Sequence, residues 1–186
     1  NDAVLVGPTR AWAEARTRVV VGLALLSPAP PMFFMGEEVG AAQRFRYNDF
    51  LEHREDILGL RHGTGASLFR FYQDLIRFCR RHPAVRVRAV DTIHVNPEGR
   101  VIAFRRSTGA DELLVVASLA NRPYDEYWIH SDAARLPDGT WREMFNSAAA
   151  SYGGDGFGNY SAGLVAAGGH LRLRLPGPGF VVLLQV

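Results

Sequence analysis

The sequence has 186 residues, 47% of them hydrophobic and 22% charged, a composition typical of globular proteins that bury a core. Its 21 basic residues, all arginines, and its 19 acidic residues are mixed along the chain, which argues against the clustered basic surface of a nucleic-acid partner. The longest apolar stretch, residues 19–35, is interrupted by a serine and three prolines, so it predicts no membrane-spanning helix and no membrane partner.

The first predicted element is a helix over residues 11–27. Thr9 is its predicted N-cap, and Pro28 and Pro30 end it because proline cannot continue a helix. Residues 19–26 are nearly all apolar, so we expect the second half to be covered on most sides. The side chains that recur at helical spacing are Trp12, Ala15, Val19, Gly22, Leu23 and Leu26.

A short buried strand is predicted over Pro31–Gly36. It is apolar on both faces, which is typical of a strand in a parallel sheet covered by helices. Helix, short loop and buried strand together form half of a repeating α/β unit. Residues 39–64 are rich in charged and aromatic side chains and predict a long loop, with at most a short helix over 52–58.

The clearest helical pattern covers residues 67–82. Ser67 can cap its start, Arg81 and His82 suit the negative end of the helix dipole, and Pro83 ends it. Its apolar stripe consists of Leu68, Phe71, Tyr72, Leu75, Phe78 and Cys79.

After Pro83 the pattern changes to short β-strands. Residues 170–175 alternate leucine with polar side chains, which predicts one buried and one solvated face. Residues 96–99 form a hairpin signal, with Gly99 in position for a positive φ. We expect at least seven strands in an antiparallel sandwich or barrel, and we place the domain boundary between residues 1–83 and 84–186.

Glu37 and Glu38 are the first candidates for a functional role, because they directly follow the predicted strand. Adjacent side chains of an extended chain point to opposite sides, so the two carboxylates cannot both face one substrate bond as a paired acid and base. At the end of a buried parallel strand, either could line a pocket and contact substrate. In the alternative interpretation, one carboxylate pairs with an arginine of the following loop and the other is solvated.

An aromatic group on the β region is the second candidate, and it includes Trp128 and Trp141 together with Tyr124 and Tyr127. Aromatic rings stack on sugar rings, which predicts a carbohydrate contact; the alternative is that these rings fill the sandwich core or its rim. The histidines at positions 53, 62, 94, 130 and 170 are scattered in sequence and predict surface or structural positions.

Cofactor and metal motifs are absent from the sequence. There is no phosphate-binding glycine loop, no zinc-ligand spacing and no G-x-S-x-G, so we expect no cofactor and no metal site. The single cysteine, Cys79, excludes an intramolecular disulfide and is typical of a cytoplasmic protein. It lies on an apolar stripe, where we expect it to be inert.

Three stretches of the chain carry the motifs of a known family. Residues 13–40, "AEARTRVVVGLALLSPAPPMFFMGEEVG", resemble the seventh helix and eighth strand of the α-amylase superfamily barrel. Residues 68–86, "LFRFYQDLIRFCRRHPAVR", resemble the eighth barrel helix. Residues 141–154, "WREMFNSAAASYGG", are similar to a stretch of 1,4-α-glucan branching enzymes. Gly36-Glu37-Glu38 departs from the Gly-Gln-Glu more usual in that group, which favours an amylase or another transglycosylase.

The resemblance implies a fold and a reaction. It implies the α/β tail of a (β/α)8 barrel, with the last strand and flanking helices, followed by an all-β antiparallel sandwich. It implies retaining cleavage of α-1,4-glucan and transfer to a 6-hydroxyl, with hydrolysis by an amylase-type relative as the alternative. A further alternative is that the β region serves as a glucan-binding or structural domain. The three carboxylates of that chemistry would precede Asn1, so we assign no catalytic residue to this chain, which we expect to be inactive alone.

The same resemblance implies two partners, an α-1,4-glucan and the missing N-terminal barrel of the same protein. The exposed edges of the orphan strand predict a third, a second copy of the chain that pairs with it. If the strand finds no partner chain, we expect it to lie under the two helices, because a lone strand exposes both of its edges.

Overall fold

The computed structural model describes residues 7–43, 52 and 54–186. Three α-helices precede a β-sheet of eight strands. The helices are α1 (Gly7–Leu26), α2 (Ile57–His62) and α3 (Ala66–Arg81), and short 3₁₀ turns cover Glu37–Val39, Pro83–Arg86 and Ala150–Tyr152. The strands are β1 (Asp91–Asn96), β2 (Val101–Ser107), β3 (Glu112–Ser118), β4 (Tyr124–His130), β5 (Gly139–Asn146), β6 (Gly163–Ala167), β7 (His170–Leu175) and β8 (Gly179–Gln185).

Helices α1 and α3 form where the apolar spacing predicts them, but their caps differ from expectation. Thr9 lies inside α1 instead of capping it, and Gly65 precedes α3, so Ser67 lies within that helix. Val20 is 66% exposed although its neighbour Val19 is buried, so the second half of α1 is covered on fewer sides than predicted. Helix α3 buries the predicted stripe, apart from the half-buried Cys79.

The predicted strand over Pro31–Gly36 is wrong for this structure. Residues 30–34 have no regular secondary structure, and a turn at 35–36 leads into the Glu37–Val39 turn. The segment does not lie under the helices either, since Met32 is 90% and Met35 76% exposed. The physical reason is that a strand needs a hydrogen-bonded neighbour, which the described part of this chain does not place beside it.

The long loop predicted over 39–64 contains a helix, but α2 starts at Ile57, later than the short helix expected over 52–58. Asp56 caps it by accepting a hydrogen bond from the Gly59 amide at 2.8 Å. The part of this loop at 44–51 and 53, which includes His53, lies outside the described residues.

The β region confirms the prediction of an antiparallel all-β domain. All strand pairs are antiparallel, in the order β1-β2-β3-β8-β5-β6-β7-β4. The hairpin between β1 and β2 is also confirmed, with the Gly99 amide donating to Asn96 Oδ1 at 2.8 Å. The positive φ, however, belongs to Arg100 (54°) and not to Gly99.

The sheet curls until its two outer strands, β1 and β4, meet. His94 of β1 places its Nδ1 3.2 Å from the carbonyl oxygen of His130 on β4. Curling encloses an inner core, in which Leu114 and Val116 of β3 pack with Trp141 of β5. This core needs no contribution from the helices.

A second core lies on the outer face of the same sheet. The alternate residues of β3, Leu113 and Val115, pack there with Phe180 of β8 and Phe71 of α3. Because β3 is covered on both faces, it is almost continuously apolar. The helices therefore pack on the sheet, and the described residues contain no barrel of the (β/α)8 type.

Candidate functional site

The turn at Glu37–Val39 holds the first pair of candidate residues. Gly36 has a φ of 97° at its start, and Glu38 Oε2 accepts a hydrogen bond from the Gly36 amide at 2.8 Å. That bond gives Glu38 a local structural role, while Glu37 is exposed. Of the arginines in the following loop, Arg44 and Arg46 lie outside the described residues. The described Arg54 and Arg61 make no ion pair with Glu37 or Glu38.

Tyr72 of α3 links these carboxylates to the core. Burial and the nearby charges of Glu37 and Glu38 raise the pKa of its hydroxyl. That hydroxyl is buried and has no hydrogen-bond partner among the described residues. The Phe33 ring packs edge-on against the Tyr72 ring, with centroids 5.2 Å apart. A buried hydroxyl without a hydrogen-bond partner is unfavourable. The Tyr72 hydroxyl therefore lacks, among the described residues, the polar group that would stabilise it.

The apolar residues before the turn form an exposed surface, which we call the 32–35 segment (Met32, Phe33, Phe34 and Met35). Phe34 is 72% exposed, and Phe33 is the least exposed of the four at 41%. Consecutive exposed apolar side chains of this size mark an interaction surface rather than a solvated loop.

The aromatic group predicted from the sequence divides into buried and exposed members. Trp141 has no exposed surface and donates its indole N–H to the Pro137 carbonyl at 3.3 Å, so a direct sugar contact by Trp141 is ruled out by its position in the inner core. Tyr127 is also buried, and its hydroxyl bonds to His94 Nε2 at 2.9 Å. The half-buried Tyr124 donates to the Gly99 carbonyl at 2.8 Å. These three rings therefore occupy core or rim positions, as the alternative interpretation of the sequence predicts.

Trp128 is the exposed member of the group, and it lies on a polar surface that we call the Trp128 face (Glu126, Trp128, His130, His170 and Arg172). Its ring is 44% exposed, and its indole N–H donates to Glu126 Oε1 at 2.9 Å. The His130 ring lies nearly parallel to it, at 16°, with centroids 6.3 Å apart.

Strand pairing completes the Trp128 face. In the register of β4 with β7, Trp128 lies opposite Arg172 and His130 opposite His170. The Nδ1 atoms of the two histidines are 2.9 Å apart, and Arg172 Nη1 lies 3.4 Å from Glu126 Oε2. These histidines are far apart in the sequence and close together in the structure. The alternation of buried Tyr127 and Ile129 around Trp128 is the sequence signal that places 126, 128 and 130 on one solvated face.

The Tyr-Gly-Gly stretch at 152–154 connects the β region to the helices. The Tyr152 hydroxyl bonds to Asp74 Oδ2 of α3 at 3.2 Å, and its ring packs on Phe71. Gly153 has a φ of 79°, and a Cβ on Gly154 would lie 2.1 Å from the Ala148 carbonyl oxygen. The two glycines are therefore required by backbone geometry and close approach.

The described ranges hold no group of three or more histidine, cysteine, aspartate or glutamate side chains placed to bind a metal ion. None of the helices in those ranges is both long and apolar enough to cross a membrane.

Comparisons with known proteins show which family the β region belongs to and which proteins the chain resembles. The sequence model described as "Alpha amylase, C-terminal all-beta domain" matches residues 93–186. The 1,4-α-glucan branching enzyme GlgB of Novosphingobium aromaticivorans is 30% identical over 159 residues, covering 80% of this chain and 20% of that protein. GlgB of Burkholderia thailandensis is 31% identical over 161 residues, covering 82% of this chain and 18% of that protein.

The chain thus spans about a fifth of the length of these curated relatives. Two solved structures share its fold. An α-amylase from H. orenii superimposes with a TM-score of 0.65 at 22% identity, over 92% of this chain and 36% of that one. AmyP in complex with maltose superimposes with a TM-score of 0.68 at 17% identity, over 96% of this chain and 36% of that one.

Proposed function

Because the chain belongs to the family of α-amylase C-terminal all-β domains, we propose that it is the C-terminal part of a 1,4-α-glucan branching enzyme. The observation that carries the proposal is the identity of about 30% with GlgB proteins over 80% of the chain or more. Residues 93–186 alone cannot supply that coverage, so the similarity extends into the helical region.

The proposed reaction of the complete protein has two steps. A carboxylate bonds to the anomeric carbon of an α-1,4 linkage, and the 4-oxygen of the next sugar leaves as a hydroxyl after protonation by a general acid. The glycosyl group is then transferred to a sugar 6-hydroxyl, which displaces the carboxylate and returns its proton to the same acid/base residue. The covalent intermediate suits transfer because it persists until an acceptor arrives. None of the three carboxylates is assigned to this chain; Glu37 or Glu38, beside Tyr72, is proposed to contact the substrate. We expect a cytoplasmic location for the complete protein.

We also propose a division between residues 1–83 and 84–186, in which 1–83 belongs to the barrel of the complete protein as its seventh helix, eighth strand and eighth helix. The 3₁₀ turn Pro83–Arg86 lies at the proposed boundary. The inner core of the sheet, enclosed without the helices, supports an autonomous β domain.

The proposed partner of the 32–35 segment is the N-terminal barrel of the same polypeptide. Its exposed apolar side chains and extended sequence pattern suit a seventh and a first barrel strand on either side. The length of the relatives outside the matched region, about four-fifths, is enough for such a barrel. In the isolated chain, a second copy could take the same position and produce a dimer.

Hydrolysis is the second candidate reaction, and the sequence Gly36-Glu37-Glu38 favours it. The two reactions are separated by incubating the complete polypeptide with amylose. Branching produces new α-1,6 linkages, detected by isoamylase, without a matching rise in reducing ends; hydrolysis produces reducing ends alone. The 186-residue chain alone is expected to do neither. Branching by the chain alone would contradict the proposal.

The Trp128 face supports a contact with α-glucan by the β domain itself. Its exposed indole can stack on a sugar ring, and the flanking charged groups can form hydrogen bonds with sugar hydroxyl groups. Affinity electrophoresis in glycogen tests it: Trp128→Ala should lose retardation that Trp128→Phe keeps. Leu119→Ala, which removes a 51% exposed apolar side chain outside the Trp128 face, is the control and should be retarded like the unchanged chain.

A further inference from the structure

A cleft with a volume of about 200 Å³ lies between α1 and the loops of the β region, away from both surfaces described above. Trp12 and Arg18 of α1 form one wall, and Gly153, Gly154 and Asp155 belong to the other. The volume is below the roughly 300–1,000 Å³ of sites for drug-sized ligands, so it suits a single ring better than an extended molecule.

Arg18 is a polar group of the cleft that the fold leaves incompletely paired. Its side chain is 4% exposed, and Nη1 donates to the Tyr152 carbonyl at 3.0 Å. Its Nε is buried and has no hydrogen-bond partner in the part of the chain that the structure describes. Such a donor costs free energy unless a ligand or water accepts its hydrogen bond.

Charge in the cleft is balanced. Burial lowers the pKa of Arg18, and the negative charges of Glu14 and Asp155 act in the opposite direction. Asp155 Oδ1 accepts the Phe157 amide at 2.9 Å, which leaves its second oxygen outside that bond. One cation and one carboxylate at the cleft favour a neutral ligand with several hydroxyl groups over an anion.

Trp12 supplies the apolar surface that such a ligand needs. Its ring is 42% exposed, and the Arg16 guanidinium lies 5.6 Å from the ring centroid in a cation–π contact that restrains its orientation. Glycines at 153 and 154 let the opposing backbone approach without side chains in the way.

We infer that this cleft binds one glucosyl unit of an α-glucan, with Trp12 as the stacking surface and Arg18 and Asp155 as hydrogen-bonding groups. The choice of an α-glucan as the ligand rests on the proposed function. The lining and the volume of the cleft are features of the structure and do not depend on that proposal.

The test uses maltotriose as the probe and the indole N–H signals of the ¹⁵N-labelled chain as the readout. Trp12→Phe and Trp128→Phe assign the signals, and buried Trp141 is the internal control. Maltotriose should shift the Trp12 signal saturably, without competition from excess inorganic phosphate, and leave the Trp141 signal unmoved. Trp12→Ala should weaken binding at the cleft roughly five- to tenfold, read from residual signals of Gly153 and Gly154, and Trp12→Phe by less.

Two results would overturn the inference: a Trp12 signal unmoved by maltotriose while that of Trp128 shifts, or displacement by phosphate. Neither touches the proposed function, which stands if the complete protein branches amylose. Conversely, a saturable shift of the Trp12 signal supports the cleft as a binding site even if the complete protein leaves amylose unchanged. The lack of reaction would then contradict only the branching proposal. Circular dichroism of Trp12→Ala checks that the fold is retained.

Discussion

At the residue scale, Arg106 joins the helices to the sheet. It is completely buried on β2, yet it bonds to three carbonyl oxygens: Leu26 at 2.6 Å, Val85 at 2.8 Å and Val87. Leu26 ends α1, where the helix dipole is negative, so the guanidinium compensates unpaired carbonyls as well as its own desolvation. The fork of donors on arginine fits this arrangement, and a lysine would not.

We predict that Arg106→Met destabilises the chain by about 3–5 kcal/mol, because it leaves these buried carbonyl groups without donors. Arg106→Lys should cost about 1–3 kcal/mol, since one ammonium group cannot reach both elements. Urea unfolding at pH 7 measures both values. Arg86→Met, at an exposed position, is the control and should stay within about 0.5 kcal/mol. An Arg106→Met variant as stable as the unchanged chain would show that the contacts are not needed.

Cys79 gives a prediction for pH dependence. Burial raises the pKa of its thiol from 9.0 to about 11, while its backbone hydrogen bond and the charge of Arg106 act to lower it. The folded chain should therefore react with iodoacetamide with a midpoint near pH 11, and the urea-unfolded chain near pH 9. Because the folded state keeps the proton longer, this thiol favours folding below pH 9 and loses that contribution as the pH rises towards 11. Equal midpoints in the two states would contradict burial of Cys79.

At the element scale, α1 has a covered side and an open side that neighbouring valines distinguish. Val19 is 1% and Val20 66% exposed. We predict that Val19→Ala costs about 1.5–3 kcal/mol, from lost burial and the cavity left behind. Val20→Ala should change stability by less than about 0.5 kcal/mol, because alanine is also the better helix former. Thermal unfolding of the two variants is a matched comparison, and similar losses in both would show that α1 is covered on all sides.

The elements that the sequence predicts well are those whose pattern is complete within the element. Helix α3 satisfies its own backbone hydrogen bonds, so the spacing from Leu68 to Phe78 is sufficient to place it. The 31–36 strand could not be realised in the same way, because its hydrogen bonds depend on neighbours that the described residues do not provide. The period-2 pattern of β4 separates Trp128 from the core, but only the pairing of β4 with β7 brings His170 and Arg172 to it.

The cleft beside Trp12 could not be predicted from the sequence. Trp12 has the spacing of a core residue on α1, yet it is 42% exposed, because the loop at 153–155 approaches α1 without filling the space beside it. That approach depends on the positive φ of Gly153 and the contact of Gly154 with Ala148, which are tertiary features.

At the scale of the whole molecule, the β-sheet is covered on both faces, whereas parts of the helical region are exposed. The inner face of the sheet is enclosed because the sheet curls on itself, and the outer face is covered by α1 and α3. The 32–35 segment, the open side of α1 and the unpaired Tyr72 hydroxyl instead present apolar and polar groups without partners among the described residues. We propose that all three contact the remainder of a longer polypeptide.

Amide hydrogen exchange of the 32–35 segment shows whether this segment contacts the remainder of a longer polypeptide. Exchange is measured by mass spectrometry in the 186-residue chain and in the complete polypeptide. If the segment is the last strand of a barrel, its amides should exchange rapidly in the chain alone. In the complete protein they should be at least about a hundredfold slower, because strand neighbours then bond them and opening requires unfolding. Rapid exchange in both proteins would contradict the account.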